Sequence, residues 1–466
     1  METYSSYSSP YSWRYGSPAM RHIWSEMHKR VIWRQIWVAV AHAQAMLGLV
    51  SEEQLNDLRA HVNQIDMERS LAIEATIKHD LVAELKTYAE QCPSGGAVLH
   101  LGLTSMDIVD NADVIRQRQA LDLILVQLKG SLQCFAEFIE KHASTPVLGF
   151  THLQPAEPTS LGYRFALTAQ DLLIDYQALR NLRSTLKGKG IKGAVGTNAA
   201  LGRLIGLENL ASFEHELSNA LDLSFYSIVS QTYPRRQDFL LVSSLASIGA
   251  TVHKFAFDLR ILQSPVFGEL AEPFGEEQVG SSAMPFKRNP IKAEKIDSLA
   301  RWLAQFPRTA WDNAANSLLE RTLDDSANRR TTIPEAFLIT EELLINLTSI
   351  LSGLRVEYGN IQRNLENYAP FAALEPLLLE LVRSGADRQK AHEHLRILSM
   401  QAWGSISKGD PNPLGELILH DEMIIGTMAE KKVKELMQVE KYLGDAPQRT
   451  IEMAQFIKQE IQTGQL

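Results

Sequence analysis

Cysteine is scarce: only Cys92 and Cys134 occur in 466 residues. They lack metal-ligand spacing and are too few for a disulfide framework, which points to a reducing cytoplasm. Long apolar runs are missing too. The most apolar window, IWVAVAHAQAMLGLV, is interrupted by His42 and Gln44 and falls short of a membrane span. The N-terminal stretch METYSSYSSPYSWRYGSPAM has neither an apolar core nor a basic leader, so it does not read as a signal peptide. Positive charge is not in excess: the formal net charge is −9. A general attraction to nucleic acid or to an anionic membrane is therefore not expected, and an anionic ligand needs a local basic pocket. HExxH and clustered Cys/His motifs are lacking, so no catalytic metal is expected. No internal repeat, low-complexity tract or convincing strand pattern stands out beyond short pieces.

What is present is helical periodicity, and the sequence reads as all-α. Between Arg235 and Gln263, the residues Leu241, Leu245, Ile248, Val252, Phe255, Leu259 and Leu262 recur at alternating spacings of four and three, a heptad seam. Leu121, Leu125, Leu128, Leu132, Phe135 and Ile139 form a second seam in a proline-free segment from about Ser105 to Lys141. A third apolar helix is expected from about Thr332 to Leu354. The length allows two to four domains or one elongated bundle. The pattern divides the chain into 1–104, with shorter helices and turns, 105–357, a central long-helix bundle, and 358–466, with shorter amphipathic pieces. Seams of this length often continue across subunits.

Chemistry is sought in the polar islands between these helices. They are WRYGS (13–17), KHD (78–80), HLGLTSMD (100–107), GFTHLQPAEPTS (149–160), RTLDDSANRR (321–330) and GSSAMPFKRNP (280–290). In isolation His152 is as readily a turn-bonding residue as a catalytic one. His253, inside the heptad helix, reads as packed or interfacial, and His142, at a helix end, as structural. Gly188–Gly202 is glycine-rich, but it follows a helix and lacks the GK[ST] ending of a phosphate loop. No GxSxG elbow surrounds Ser281, so an esterase has little support. Acid–base chemistry in a cation-rich site remains.

GSSAMPFKRNP resembles the GSSxMPxKxNP signature of the fumarase/aspartase superfamily, and KHD, GFTHLQPA, SQTYPRR and RTLDDSANRR are similar to segments of its adenylosuccinate lyases, in order along nearly the whole chain. The resemblance implies a three-domain, all-α fold whose central bundle tetramerises, with each active site shared among three subunits. It implies elimination of fumarate from purine nucleotide substrates, with no cofactor and no metal. By the same match, Ser281 is the base and His152 the general acid, an imidazole being suited to donation near neutrality. A free serine is a weak base, so the loop's N–H groups and Lys287 would have to stabilise its alkoxide. Arg14 and Tyr15 are expected on the phosphate, and Lys78, His79 and Asp80 on the substrate. Thr104, Ser105 and Gln231 fall to the succinyl part or the base, Lys287 and Asn289 to the succinyl carboxylates, and Arg321, Ser326 and Arg330 to the ribose and phosphate. Lys295 stands where some members carry a substrate-contacting arginine. The rival readings are another fumarate-releasing lyase, such as argininosuccinate lyase, and a catalytically silent structural homologue.

Overall fold

In the computed structural model, which describes residues 5–463, long helices lie side by side in a central bundle. Ser105–Lys141, Leu161–Thr185, Arg236–Gln263 and Asp324–Gly353 carry it. Each expected seam residue on Ser105–Lys141 and Arg236–Gln263 is buried in one core shared by these helices. The seams are thus satisfied inside the chain, because the stripes of neighbouring helices interlock and exclude water. Arg236–Gln263 and Asp324–Gly353 are long and apolar enough to cross a membrane, but their most apolar stretches are 44% and 72% buried within the fold. The first is left with an apolar flank that this chain does not cover.

The helix expected from Thr332 begins earlier, at Asp324, so most of RTLDDSANRR is helical. Asp324 and Asp325 favour that start, since carboxylates in a first turn oppose the positive end of the helix dipole. Pro334 lies inside the helix without ending it.

A second core gathers Glu26–Met46 and Asp80–Gln91 with the beginning of Ser105–Lys141 and with residues between Ile191 and Leu217. The glycine-rich Gly188–Gly202 segment is packed rather than open: Lys189 is fully buried and ion-paired with Asp107. At the other end, the C-terminal helix Ala446–Thr463 returns to pack on Ser105–Lys141 and Leu161–Thr185.

Sequence periodicity missed one hairpin. Pro146–Thr151 pairs antiparallel with Gln154–Ser160, Thr151 facing Gln154 across a two-residue turn, His152-Leu153. Pro155 and Pro158 argue against a strand, yet a two-stranded ribbon has free outer edges where the missing N–H costs nothing.

Candidate active site

Helix Ser105–Lys141 starts with a reciprocal cap: Asp107 accepts the Thr104 N–H at 2.8 Å. Asp107 is itself held by Lys189 and by the Lys192 and Gly193 N–H groups. Thr104 and Ser105 are thereby fixed by a buried ion pair. Across from them, His79 caps helix Asp80–Gln91, its Nδ1 accepting the Val82 N–H at 3.4 Å. Its Nε2 lies 3.4 Å from Ser105 Oγ. Lys78, just before it, takes the left-handed conformation and is exposed.

His79, Asp80, Thr104 and Ser105 line a cavity of about 420 Å³, and Lys78 lies outside its wall. Its wall also includes Gln231, Arg321, Ser326 and Arg330, so the fold collects eight expected site residues from four distant segments. Arg330 reaches Asp80 at 3.3 Å, and Arg321 reaches Asp325 at 2.8 Å.

Behind the cavity lies a buried network of charges. Arg235 pairs with Asp110 at 3.1 Å and Asp325 at 2.8 Å, while Arg329 pairs with Asp238 at 2.8 Å and donates to Tyr233 Oη at 2.8 Å. Complete burial pushes Asp110 above the usual carboxylate range despite Arg235 and Arg329. Burial also pushes Asp325 upward, but Arg235, Arg329 and Arg321 outweigh it and hold its carboxyl below that range. The arginines of SQTYPRR and SANRR differ accordingly: Arg235 is buried in the network away from the cavity, Arg329 is buried in the network but also lines the cavity, and Arg330, exposed, faces the cavity mouth.

The remaining expected residues do not line this cavity. His152 stands exposed at the hairpin tip, where it and Leu153 have φ of 54° and 60°. Both central residues of a type I′ turn need positive φ, normally supplied by Gly or Asn, so the turn is strained, above all at Leu153.

Ser281 lies in the signature loop, its Oγ accepting the Ala283 N–H at 3.3 Å and the Met284 N–H at 3.1 Å. Two converging N–H groups favour an anionic oxygen at that point. Asn289 closes the loop by donating to the Gly280 carbonyl at 2.8 Å. A Cβ on Gly280 would lie 2.1 Å from the Lys287 carbonyl, so only glycine fits there. Lys287 is exposed and, among the described residues, pairs with no carboxylate. In the N-terminal loop, Arg14 is exposed beside Trp13, and Tyr15 packs on Tyr11.

Sequence reasoning missed Trp24, Trp33, Asp113, Arg116 and Gln117, all in the cavity wall. A signal existed for three of them. Ser105, Asp113 and Arg116-Gln117 fall with Val109 on one helical face, in the polar first half of a helix whose second half carries the apolar seam.

Residues 14–302 match the family model described as Lyase, and residues 370–452 match the one described as Adenylosuccinate lyase C-terminus. Similarity over nearly the full length extends to the adenylosuccinate lyase of Saccharomyces cerevisiae, 37% identical, covering 98% of this chain and 95% of that protein. The chain belongs to the adenylosuccinate lyase family. The adenylosuccinate lyase of Schizosaccharomyces pombe is 36% identical, covering 97% of this chain and 94% of that protein. A solved fumarate lyase from Mesorhizobium sp. BNC1 matches with a TM-score of 0.83 at 24% identity, over 97% of this chain and 99% of that one. The fold is that of the fumarase/aspartase superfamily, and the chain is a carbon–nitrogen lyase of the adenylosuccinate lyase type.

Proposed function

We infer that the chain cleaves adenylosuccinate to AMP and fumarate, and also the succinyl-carboxamide ribotide of purine synthesis to its carboxamide and fumarate. The observation that carries this reading is the cavity, which sets two arginines, Arg321 and Arg330, beside His79, Thr104 and Ser105 in a chain whose net charge is negative. Guanidinium groups suit phosphate and carboxylate recognition.

In this reading Ser281 removes the proton beside a succinyl carboxylate. The carbanion delocalises into that carboxylate, and Lys287 with oriented donors holds the added charge. His152 then protonates the leaving nitrogen, and Arg14 and Tyr15 hold the phosphate. The hydrogen bonds at Ser281 Oγ support its role, and the strained turn supports that of His152.

Cavity, hairpin tip and signature loop would meet in a homotetramer, each site drawing on three subunits. The uncovered flank of the bundle supports this: Leu167 and Ile174 are exposed seven residues apart on Leu161–Thr185, and Phe257, Trp302 and Trp311 are also exposed. The same reading keeps 1–104, 105–357 and 358–466 as its units; the 370–452 match falls within the third. It also places the enzyme in the cytoplasm, without nucleic-acid or membrane partners.

Two experiments test it. Purified protein should release fumarate from adenylosuccinate and not from argininosuccinate; the opposite preference refutes the substrate. Mixing inactive His152→Ala and Ser281→Ala proteins under subunit exchange should restore activity at roughly a quarter of the sites. No recovery after verified exchange refutes the shared site.

A further inference from the structure

The loop Tyr15-Gly16-Ser17 is gripped from two sides. Arg21 donates to the carbonyls of Tyr15 and Gly16. From the other side, Glu342 Oε2 accepts the Gly16 N–H at 3.2 Å, and Glu341 accepts the Ser17 N–H at 2.7 Å and the Ser17 hydroxyl at 2.9 Å. Gly16 has φ of +72°, and a Cβ there would lie 2.6 Å from Leu338 Cδ2, so the backbone sits hard against helix Asp324–Gly353.

Glu341 and Glu342 are consecutive and both buried. Two adjacent buried carboxylates are costly unless charge and hydrogen bonds compensate them. Among the described residues the one cation paired with either is Lys295, whose Nζ lies 2.9 Å from Glu342 Oε1; Asn346 donates to the same oxygen at 2.8 Å. Lys295 sits in the second turn of helix Ile291–Leu303, which begins where the signature loop ends.

We propose that Lys295 and Glu342 are positioning residues for phosphate recognition: the lysine neutralises Glu342, Glu342 holds the Gly16 N–H, and the fixed backbone aims Arg14 and Tyr15 at the phosphate. The inference rests on the assignment of Arg14 and Tyr15 to the phosphate. It departs from a direct substrate contact by Lys295, because the ammonium is already engaged by a buried carboxylate. Without the lysine, repulsion between the two glutamates favours rotation of Glu342 away from Gly16, and the loop loses one of its anchors. The energy of such an indirect effect is modest, since the contact itself survives and only its geometry loosens.

The test uses the full-length enzyme and its two products as inhibitors of turnover. Lys295→Met should raise the inhibition constant of AMP about tenfold and leave that of fumarate within about twofold. Substrate KM should rise in parallel with little change in kcat, and Lys295→Arg should restore the AMP value. The Lys295→Met and Arg14→Ala effects on AMP should not add, because one acts through the other. Weakened fumarate inhibition would overturn the relay in favour of direct contact with the succinyl part, and additive effects on AMP would overturn it as well. Arg14→Ala that weakens AMP while Lys295→Met does not refutes the relay alone. Arg14→Ala without effect on AMP refutes the phosphate assignment and the relay with it.

Discussion

The cavity wall and the two outlying tips are built on opposite principles. The wall is made rigid from behind by paired, buried ions: Arg235, Arg329, Asp110, Asp238 and Asp325 hold one another, and Lys189 with Asp107 fixes the start of the helix bearing Ser105. The tips lack such backing. His152 projects from a two-residue turn, and Ser281 is held by N–H groups of its own loop. In the proposed function, binding groups are organised by one chain's core, whereas the proposed proton-transfer groups sit on projections that would reach into another subunit.

Breaking each side should therefore fail in a different way. The largest effect belongs to the signature loop: Ser281→Ala should lower kcat by about 10³-fold, the scale of a lost general base, with thermal midpoint and AMP binding unchanged. Comparable kcat in the variant would remove Ser281 as the base. The wall should answer in stability. Arg235→Met strands Asp110 and Asp325 without their shared cation and should cost about 3–5 kcal/mol in denaturant unfolding. A loss below 1 kcal/mol would mean the network is not what holds the wall.

Acid should act on the wall before the tips. Asp325 has a native pKa below its unfolded one, so its contribution is complete above the ordinary carboxylate range and fades as pH falls through the native value. The thermal midpoint should drop below about pH 4, and Asp325→Asn should flatten that part of the profile. The smallest effect is at the hairpin: Leu153→Gly relieves a left-handed leucine and should stabilise the protein by less than about 1 kcal/mol, the gain being offset by glycine's entropy. If turnover falls at the same time, the strain at the turn serves to aim His152.

The elements were legible to unequal degrees. Helix Ser105–Lys141 was readable to its ends, because its seam and its freedom from proline are local patterns. The start at Asp324 was not, because RTLDDSANRR is polar enough to pass for a loop and becomes helical by packing Arg329 and Asp325 into the ion network. The hairpin was hidden by its prolines. Asp113, Arg116 and Gln117 share a helical face with Ser105 that the sequence shows, but other polar residues surround them, and only the packing decides which of these face the cavity.

The sequence alone determined the helical seams, the signature loop and the family: each seam and motif is written within a few dozen consecutive residues, the motifs follow one another in order along the chain, and a side chain's spacing along a helix is fixed by the 3.6-residue turn. The tertiary structure decided which of two adjacent arginines is buried, that Lys295 serves Glu342, and that residues 79, 105, 231 and 330 share one cavity while 152 and 281 lie outside it. Those outcomes depend on burial and on charge compensation between segments far apart in the chain, and both come into being only when the helices pack.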